Sequence, residues 1–270
     1  NEYTIIGGMP EVLQTYIESK SLSDLSMVYE NIWETYKNDV EKYAKNTTEE
    51  RVINHIVNTA HTYLDQRIKF QNFGSSNYKS REVGEAFRKL NDAKVIQLIY
   101  PTTNMAPPVQ PDIKKSPRLQ FLDTGIVNYK LNIQPELLAM SDLSSAYKGS
   151  IIPHIITQEF ISLNTYKYQK PNFWVREKRQ SSAEVDLINP YNGMLIPIEI
   201  KSGKVGKLRS LHQFVEQSNH PYAIRMYAGE FKIETHKTAS GKLFFLMNLP
   251  YYLTAFIEDY MDYFMSNKTR

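Results

Sequence analysis

Two hydrophobic rhythms run along the chain. In the first part apolar residues recur every three or four positions, the period of a helix; later they alternate or gather in short blocks, the habit of strands. Pro10–Ser19 predicts a helix with proline in its first turn. Asp24–Ala44 predicts a second, with Leu25, Val28, Ile32, Tyr36, Val40 and Tyr43 along one face. A third is expected behind Thr48 as its cap, with Val52, Ile53, Ile56, Val57, Ala60 and Leu64 facing inward. Phe70–Asn77 reads as a loop, and Ser80 is placed as the cap of a helix reaching about Asn91, with Glu82 suiting its positive end. Strands are expected at Lys94–Tyr100 and Arg118–Leu122, separated by the proline-bearing stretch Thr102–Pro117. Helix, loop, helix and two strands is the order of a winged helix, and its second helix presents Arg81, Arg88 and Lys89 as candidate nucleic-acid contacts. Glu82, Glu85 and Asp92 on the same helix fit an alternative in which it only packs domains together.

A linker is expected near Pro135–Ser145, after which the pattern turns α/β. Ile151–Asn164 and Lys207–Ser218 predict helices. Phe173–Arg176, Glu184–Ile188, Leu195–Ile200, Tyr222–Tyr227 and Lys242–Met247 predict strands, and Leu253–Met265 a closing helix carrying Phe256, Ile257, Tyr260, Met261 and Phe264. The expectation is an α+β chain: a helical and winged-helix part over residues 1–145, then an α/β domain over 146–270.

The stretch Ala183–Gly203 concentrates candidate chemistry. A Pro/Asn/Gly cluster, Asn189–Gly193, separates two apolar runs and predicts a hairpin. In the second run Ile196, Ile198 and Ile200 alternate with Pro197, Glu199 and Lys201, so Glu199 and Lys201 share a face. In the first, Glu184 and Asp186 are expected on one face with Val185 and Leu187 opposite. If the polar faces coincide, a carboxylate from each strand meets beside one ammonium. Two carboxylates suit a hard cation such as magnesium, and the lysine suits an attacking water or a phosphate charge. The same residues also suit a solvent-facing ion pair worth about 0–1 kcal/mol.

The spacing of Asp186 from Glu199-Ile200-Lys201 resembles the PD-(D/E)xK nuclease superfamily. The resemblance implies Asp186 and Glu199 as metal ligands and Lys201 as the catalytic lysine of a metal-dependent DNA endonuclease. Further motifs follow in order: Ile6-Gly7-Gly8-Met9-Pro10-Glu11-Val12, Ser80-Arg81-Glu82-Val83, Leu90-Asn91-Asp92-Ala93-Lys94-Val95-Ile96, Phe121-Leu122-Asp123-Thr124-Gly125, Lys148-Gly149 and Phe173-Trp174-Val175-Arg176. Their order is similar to the region after the ATPase core in a widespread prokaryotic family of AAA+ ATPases. There the tail is a helical linker, a winged-helix-like segment and a domain of unknown function with a PD-(D/E)xK-like fold. In that family the helix after Lys148-Gly149 carries a glutamate four positions past the glycine; here the position is Pro153. Glu159 lies six residues further on, about 600° around a helix, and does not share its face. A vestigial or weak magnesium site is therefore expected.

Composition narrows the picture. The net charge is only +3, yet residues 166–209 hold nine Lys/Arg against four acids. That concentration makes DNA the expected partner, with Lys204, Lys207 and Arg209 as candidate contacts. The chain has no cysteine, which excludes disulfides and cysteine-rich zinc sites and suits a cytoplasmic protein. Its longest uncharged apolar stretch, Leu243–Ile257, is too short to span a bilayer as a helix, so no membrane association is expected. The six histidines lack paired zinc spacing, and no phosphate loop or G-x-S-x-G elbow is present. ATP is thus not expected to bind this chain, which reads as a piece of a longer protein whose ATPase module would be a partner. The leading expectation is nucleic-acid association with a vestigial nuclease-like site. The alternative is a non-catalytic protein-interaction or ATPase-regulatory module.

Overall fold

The computed structural model describes residues 2–134, 151–163, 170–177, 183–201, 203 and 208–266. The chain is α+β, with helices in its N-terminal part and a sheet-rich C-terminal part. In chain order the elements are α1 Glu2–Ile6, α2 Pro10–Ser19, α3 Leu25–Tyr43, α4 Thr47–Thr59, α5 Ser80–Asp92, β1 Ile96–Ile99, β2 Pro101–Thr102, β3 Arg118–Phe121 and α6 Thr124–Lys130. They continue as α7 Ile151–Leu163, β4 Asn172–Val175, β5 Glu184–Tyr191, β6 Met194–Ile200, α8 Arg209–Gln217, β7 Tyr222–Tyr227, β8 Lys232–Lys237, β9 Leu243–Pro250 and α9 Ile257–Ser266.

Two compact units divide the chain: residues 1–98 with 116–155, and residues 99–115 with 156–270. The segment 99–115, placed with the helical half by a boundary at 145, instead belongs with the sheet. Strand β2 within it runs parallel to β4, pairing Pro101 with Phe173 and Thr102 with Trp174. The expected linker at Pro135–Ser145 and the Lys148-Gly149 motif lie outside the described residues.

In the first unit, helices α4 and α5 precede the two-stranded sheet β1–β3. Their caps differ from expectation. Asn46, extended at φ −162°, caps α4 by accepting from Glu49 N at 3.0 Å, while Glu49 accepts from Lys45 N at 2.7 Å; Thr48 is already inside the helix. Ser80 is likewise the first residue of α5, whose entry is held by Glu82 accepting from Lys79 N at 3.1 Å. Along α3 the buried seam is Leu25, Tyr29 and Trp33, with Val28, Ile32 and Tyr36 at its margins. The large aromatics take the centre because they bury the most area.

Two glycine motifs meet here. Asp123 caps α6 by accepting from Ile126 N at 3.0 Å, and its other oxygen accepts from Gly8 N at 2.6 Å. Gly7 turns at φ +76°, and a side chain at Gly125 would run into the Ile6 carbonyl. Asn128 donates to Thr4 O at 2.9 Å and Ile5 O at 3.0 Å, and Tyr29 Oη donates to Ile6 O at 2.7 Å. Burial pushes the Asp123 carboxyl up from its ordinary pKa, and the backbone N–H groups oppose that shift.

The second unit is a seven-stranded sheet in the order β2-β4-β5-β6-β7-β9-β8. β4, β5 and β6 form an antiparallel meander; β7 and β9 run parallel to β6 and to one another, and β8 closes the edge antiparallel to β9. Helix α8 is the crossover from β6 to β7 that a parallel pair requires. Its Leu211, Phe214 and Val215 pack on Trp174, Leu195, Ala223, Phe244 and Leu246. Helix α9 lies on the other face, where Phe264 meets Tyr222 at 5.4 Å between ring centres and Met261 meets Asn189. The closing segment is a 3-10 turn, Tyr251–Phe256, before α9, and it leaves Phe256 exposed rather than in the core. No described helix is long and apolar enough to cross a membrane.

His154 on α7 is fully buried, and burial pushes its pKa down to about 3. The imidazole is neutral in the fold and protonates in the unfolded chain below its ordinary pKa of 6.5. Its contribution to stability is therefore whole above pH 6.5 and lost as pH falls toward 3. His61, His212 and His220 shift the same way, chiefly by burial. Thermal melts from pH 7 to pH 4 should fall, and His154→Leu should flatten part of that slope; an unchanged slope would contradict the assignment.

Candidate functional site

The β5–β6 hairpin closes on the two-residue turn Asn192–Gly193, with φ of +45° and +74°. Positive φ at both positions is the type I′ geometry that matches the twist of paired strands. The strands then extend further toward the turn than expected, pairing Tyr191 with Met194 and Pro190 with Leu195. The ladder runs back to Leu187 opposite Ile198.

Beyond that pair the strict alternation expected of β5 fails. Between the β4–β5 pairs Asn172–Ile188 and Trp174–Val185, two residues of β5, Asp186 and Leu187, stand against Phe173 alone. This is a β-bulge, which re-aims the side chain that it carries. Val185 packs with Trp174 and Phe214, so it does not simply share the face of Leu187. The Asp186 carboxylate instead accepts from Ile200 N at 2.8 Å, bound to the amide that joins Glu199 to Ile200.

Glu199 is 6% exposed, and Lys201 Nζ donates to its Oε1 at 2.6 Å. Lys201 N bonds Met226 O at 2.8 Å, which continues the β6–β7 ladder past the end of β6. The structure therefore brings Glu199 and Lys201 together and seats Asp186 on the backbone between them. It also builds a polar row that the sequence reading missed. Glu199 stands beside Arg225 of β7, Arg225 beside Asn248 of β9, and Asn248 against Lys232 of β8. Asn248 donates to Glu234 Oε2 at 2.7 Å; the hydrogen bond from Lys232 holds the Glu234 carboxyl below its ordinary pKa, partly offset by burial. The signal was present: Arg225 and Asn248 interrupt otherwise apolar strands.

The remaining predicted residues are dispersed. Lys204 and Lys207 lie outside the described residues, and Arg209 is the exposed first residue of α8. On α5, in the other unit, Arg81 is exposed and pairs with Glu85 at 3.2 Å, Arg88 is exposed, and Lys89 is paired with Glu49. Pro153 is buried in the first turn of α7, where proline is tolerated, and Glu159 is half-buried. Among the described residues no group of three or more His, Asp or Glu side chains is arranged to hold a metal ion.

Lys201→Met takes the ammonium away from the buried Glu199 carboxyl and should destabilise the chain by about 1–3 kcal/mol. Adding Glu199→Gln should recover part of the loss. Urea unfolding of the two single variants and the double variant checks this, and additive losses would refute the coupling.

Two family models match successive parts of the chain. Residues 148–252 match a domain of unknown function, DUF4143. No curated protein and no solved structure matches the chain. Residues 1–137, just over half of the chain, match a second domain of unknown function, and the chain belongs to that family, DUF8612.

Proposed function

We propose that the sheet-rich unit is a nucleic-acid-binding module with a weak or vestigial magnesium-dependent nuclease-like site, carried in the C-terminal part of an AAA+ ATPase family protein. The observation that carries the reading is the pair of Lys201 with the buried Glu199, with the Asp186 carboxylate bound to the adjoining amide. The order helix, three-stranded meander, crossover helix and parallel strand, α7–β4–β5–β6–α8–β7, supports it, being compatible with the nuclease-like plan that the motif implies.

The donors are all carboxylate oxygens, which fit magnesium or manganese better than zinc. Asp186 and Glu199 would hold such an ion, which supplies an activated water and polarises a phosphate oxygen. Lys201, in contact with Glu199, would neutralise a phosphate or hold a water. Among the described residues two acids would serve this site and Pro153 stands where a third is expected, so the reading is of weak metal affinity and slow cutting or none.

A second reading, the protein-interaction or ATPase-regulatory module, draws on exposed aromatics near the C-terminus. Tyr252, Phe256 and Tyr263 are 75%, 56% and 53% exposed, and Phe231 packs its ring on Tyr260 and Tyr263. Exposed apolar surface of this kind marks protein contacts.

The deciding measurement is a DNA titration at low and physiological salt, with and without magnesium. Sequence-independent binding of roughly micromolar strength that weakens at least tenfold with salt is expected. Reversing Lys204 and Lys207 to glutamate should weaken it more than reversing Arg81 and Arg88. A nicking assay on plasmid and branched DNA with magnesium or manganese should show slow cutting or none, and any cutting should vanish in Lys201→Ala. No binding at low salt would sink the reading in favour of the interaction module.

A further inference from the structure

Arg225 sits in an unusual position for a half-buried cation. It lies beside Glu199 in the β6–β7 register, on the face that Glu199 shares with Lys201. Yet among the described residues no hydrogen bond or ion pair satisfies its guanidinium, and its Nε is buried. The group lies over the ring of Tyr227, two residues on along the same strand, with 4.5 Å from Cζ to the ring centre. A guanidinium held this way is attracted by the face of the ring, and its N–H edge is kept for another acceptor.

The platform is itself built in. Tyr227 is buried, and its hydroxyl donates to Glu230 O at 2.6 Å. Gly229 lies directly under the ring, where any side chain would collide with it. The ring therefore has a fixed height and tilt. Stacking draws Arg225 along the strand toward the C-terminal ends of β6 and β7, and Lys201 follows the end of β6 at the same edge. Ligands of parallel sheets bind beyond those strand ends. Two carboxylates and two cations then lie on neighbouring strands near one edge, and the guanidinium has hydrogen-bonding capacity in reserve.

We propose that Arg225, presented on Tyr227, is a phosphate-binding residue of this site and takes an oxygen of a nucleic-acid backbone phosphate beside Glu199 and Lys201. The inference rests on the nucleic-acid reading of that site and adds a recognition residue to it. A planar fork of N–H donors matches phosphate oxygens in a way that an ammonium does not. Tyr227 acts as a positioning residue: it touches no ligand and reduces the rotamer freedom that Arg225 would lose on binding.

The test measures affinity of the 270-residue chain for a double-stranded oligonucleotide across a salt series, for wild type, Arg225→Gln, Arg225→Lys and Tyr227→Leu. Arg225→Gln should bind about tenfold more weakly, with a salt slope shallower by about one, the signature of one lost phosphate contact. Arg225→Lys should keep the slope and lose affinity. Tyr227→Leu should also keep the slope while weakening binding a few-fold. Should Arg225→Gln melt early, the same slopes for Arg225→Lys and Tyr227→Leu carry the test, because a merely structural role would not separate slope from affinity. Wild-type binding with an unchanged slope and affinity in Arg225→Gln overturns the inference alone. Absence of wild-type binding overturns the nucleic-acid reading and the inference together.

Discussion

The sheet-rich unit depends on the register of one hairpin. The side-chain period of a strand is two, so a slip of one residue between β5 and β6 would carry every side chain to the opposite face. The Asn192–Gly193 turn prevents that slip, because a two-residue loop with both φ values positive permits one pairing. From it follows Leu187 opposite Ile198, one residue from the bulge that seats the Asp186 carboxylate at the Glu199–Ile200 amide. The isoleucines on the other side, Ile196, Ile198 and Ile200, hold the strand in place by burial, so the polar face stays where the turn sets it.

A different economy holds the helical unit. There a single buried carboxylate gathers the chain: Asp123 caps α6 and captures the Gly8 amide from a segment 115 residues earlier. Desolvating a charge is costly unless hydrogen bonds replace the water, and backbone N–H groups do so here. The glycines on both sides of the contact leave no room for a side chain, which explains why two short glycine motifs, distant in sequence, have the composition that they do. In both units, then, a short element with restricted backbone geometry places a carboxylate. In the first the carboxylate is consumed in holding the fold, and in the second it stands next to a lysine and an arginine at a strand edge.

Charge distributes accordingly. The acids and bases of α5 neutralise one another: Arg81 pairs with Glu85, and Lys89 with Glu49 of α4. The first pair is exposed and contributes little stability, the second is half-buried, and both leave little net potential. The strand-edge cluster is different, because Glu199 is buried and its neighbours are held by the sheet, so its charges act in a medium of lower dielectric. On the nucleic-acid reading proposed above, this contrast favours the sheet-rich unit over the helical one as the phosphate-binding part.

Element types were legible from periodicity alone: α2, α3, α4 and α5, the hairpin, and the crossover between β6 and β7 all lie within a few residues of where the apolar spacing puts them. So was the Glu199–Lys201 pair, since alternation over two residues is a local property of any strand. The elements that escaped lacked such a signal. Strand β8, Lys232–Lys237, is a charged edge strand that shows no apolar alternation, as edges exposed to solvent do not. Helices α1 and α6 are too short for a periodic face and exist by docking on one another. The sequence by itself determined the strands, the turn and the paired acid and base, because each follows from chemistry within a few residues. Only the tertiary structure decided the bulge at Asp186, the meeting of Gly8 with Asp123, and the place of Arg225 beside Glu199. Those depend on which strand or helix lies alongside, and a partner's register is set by packing over the whole unit.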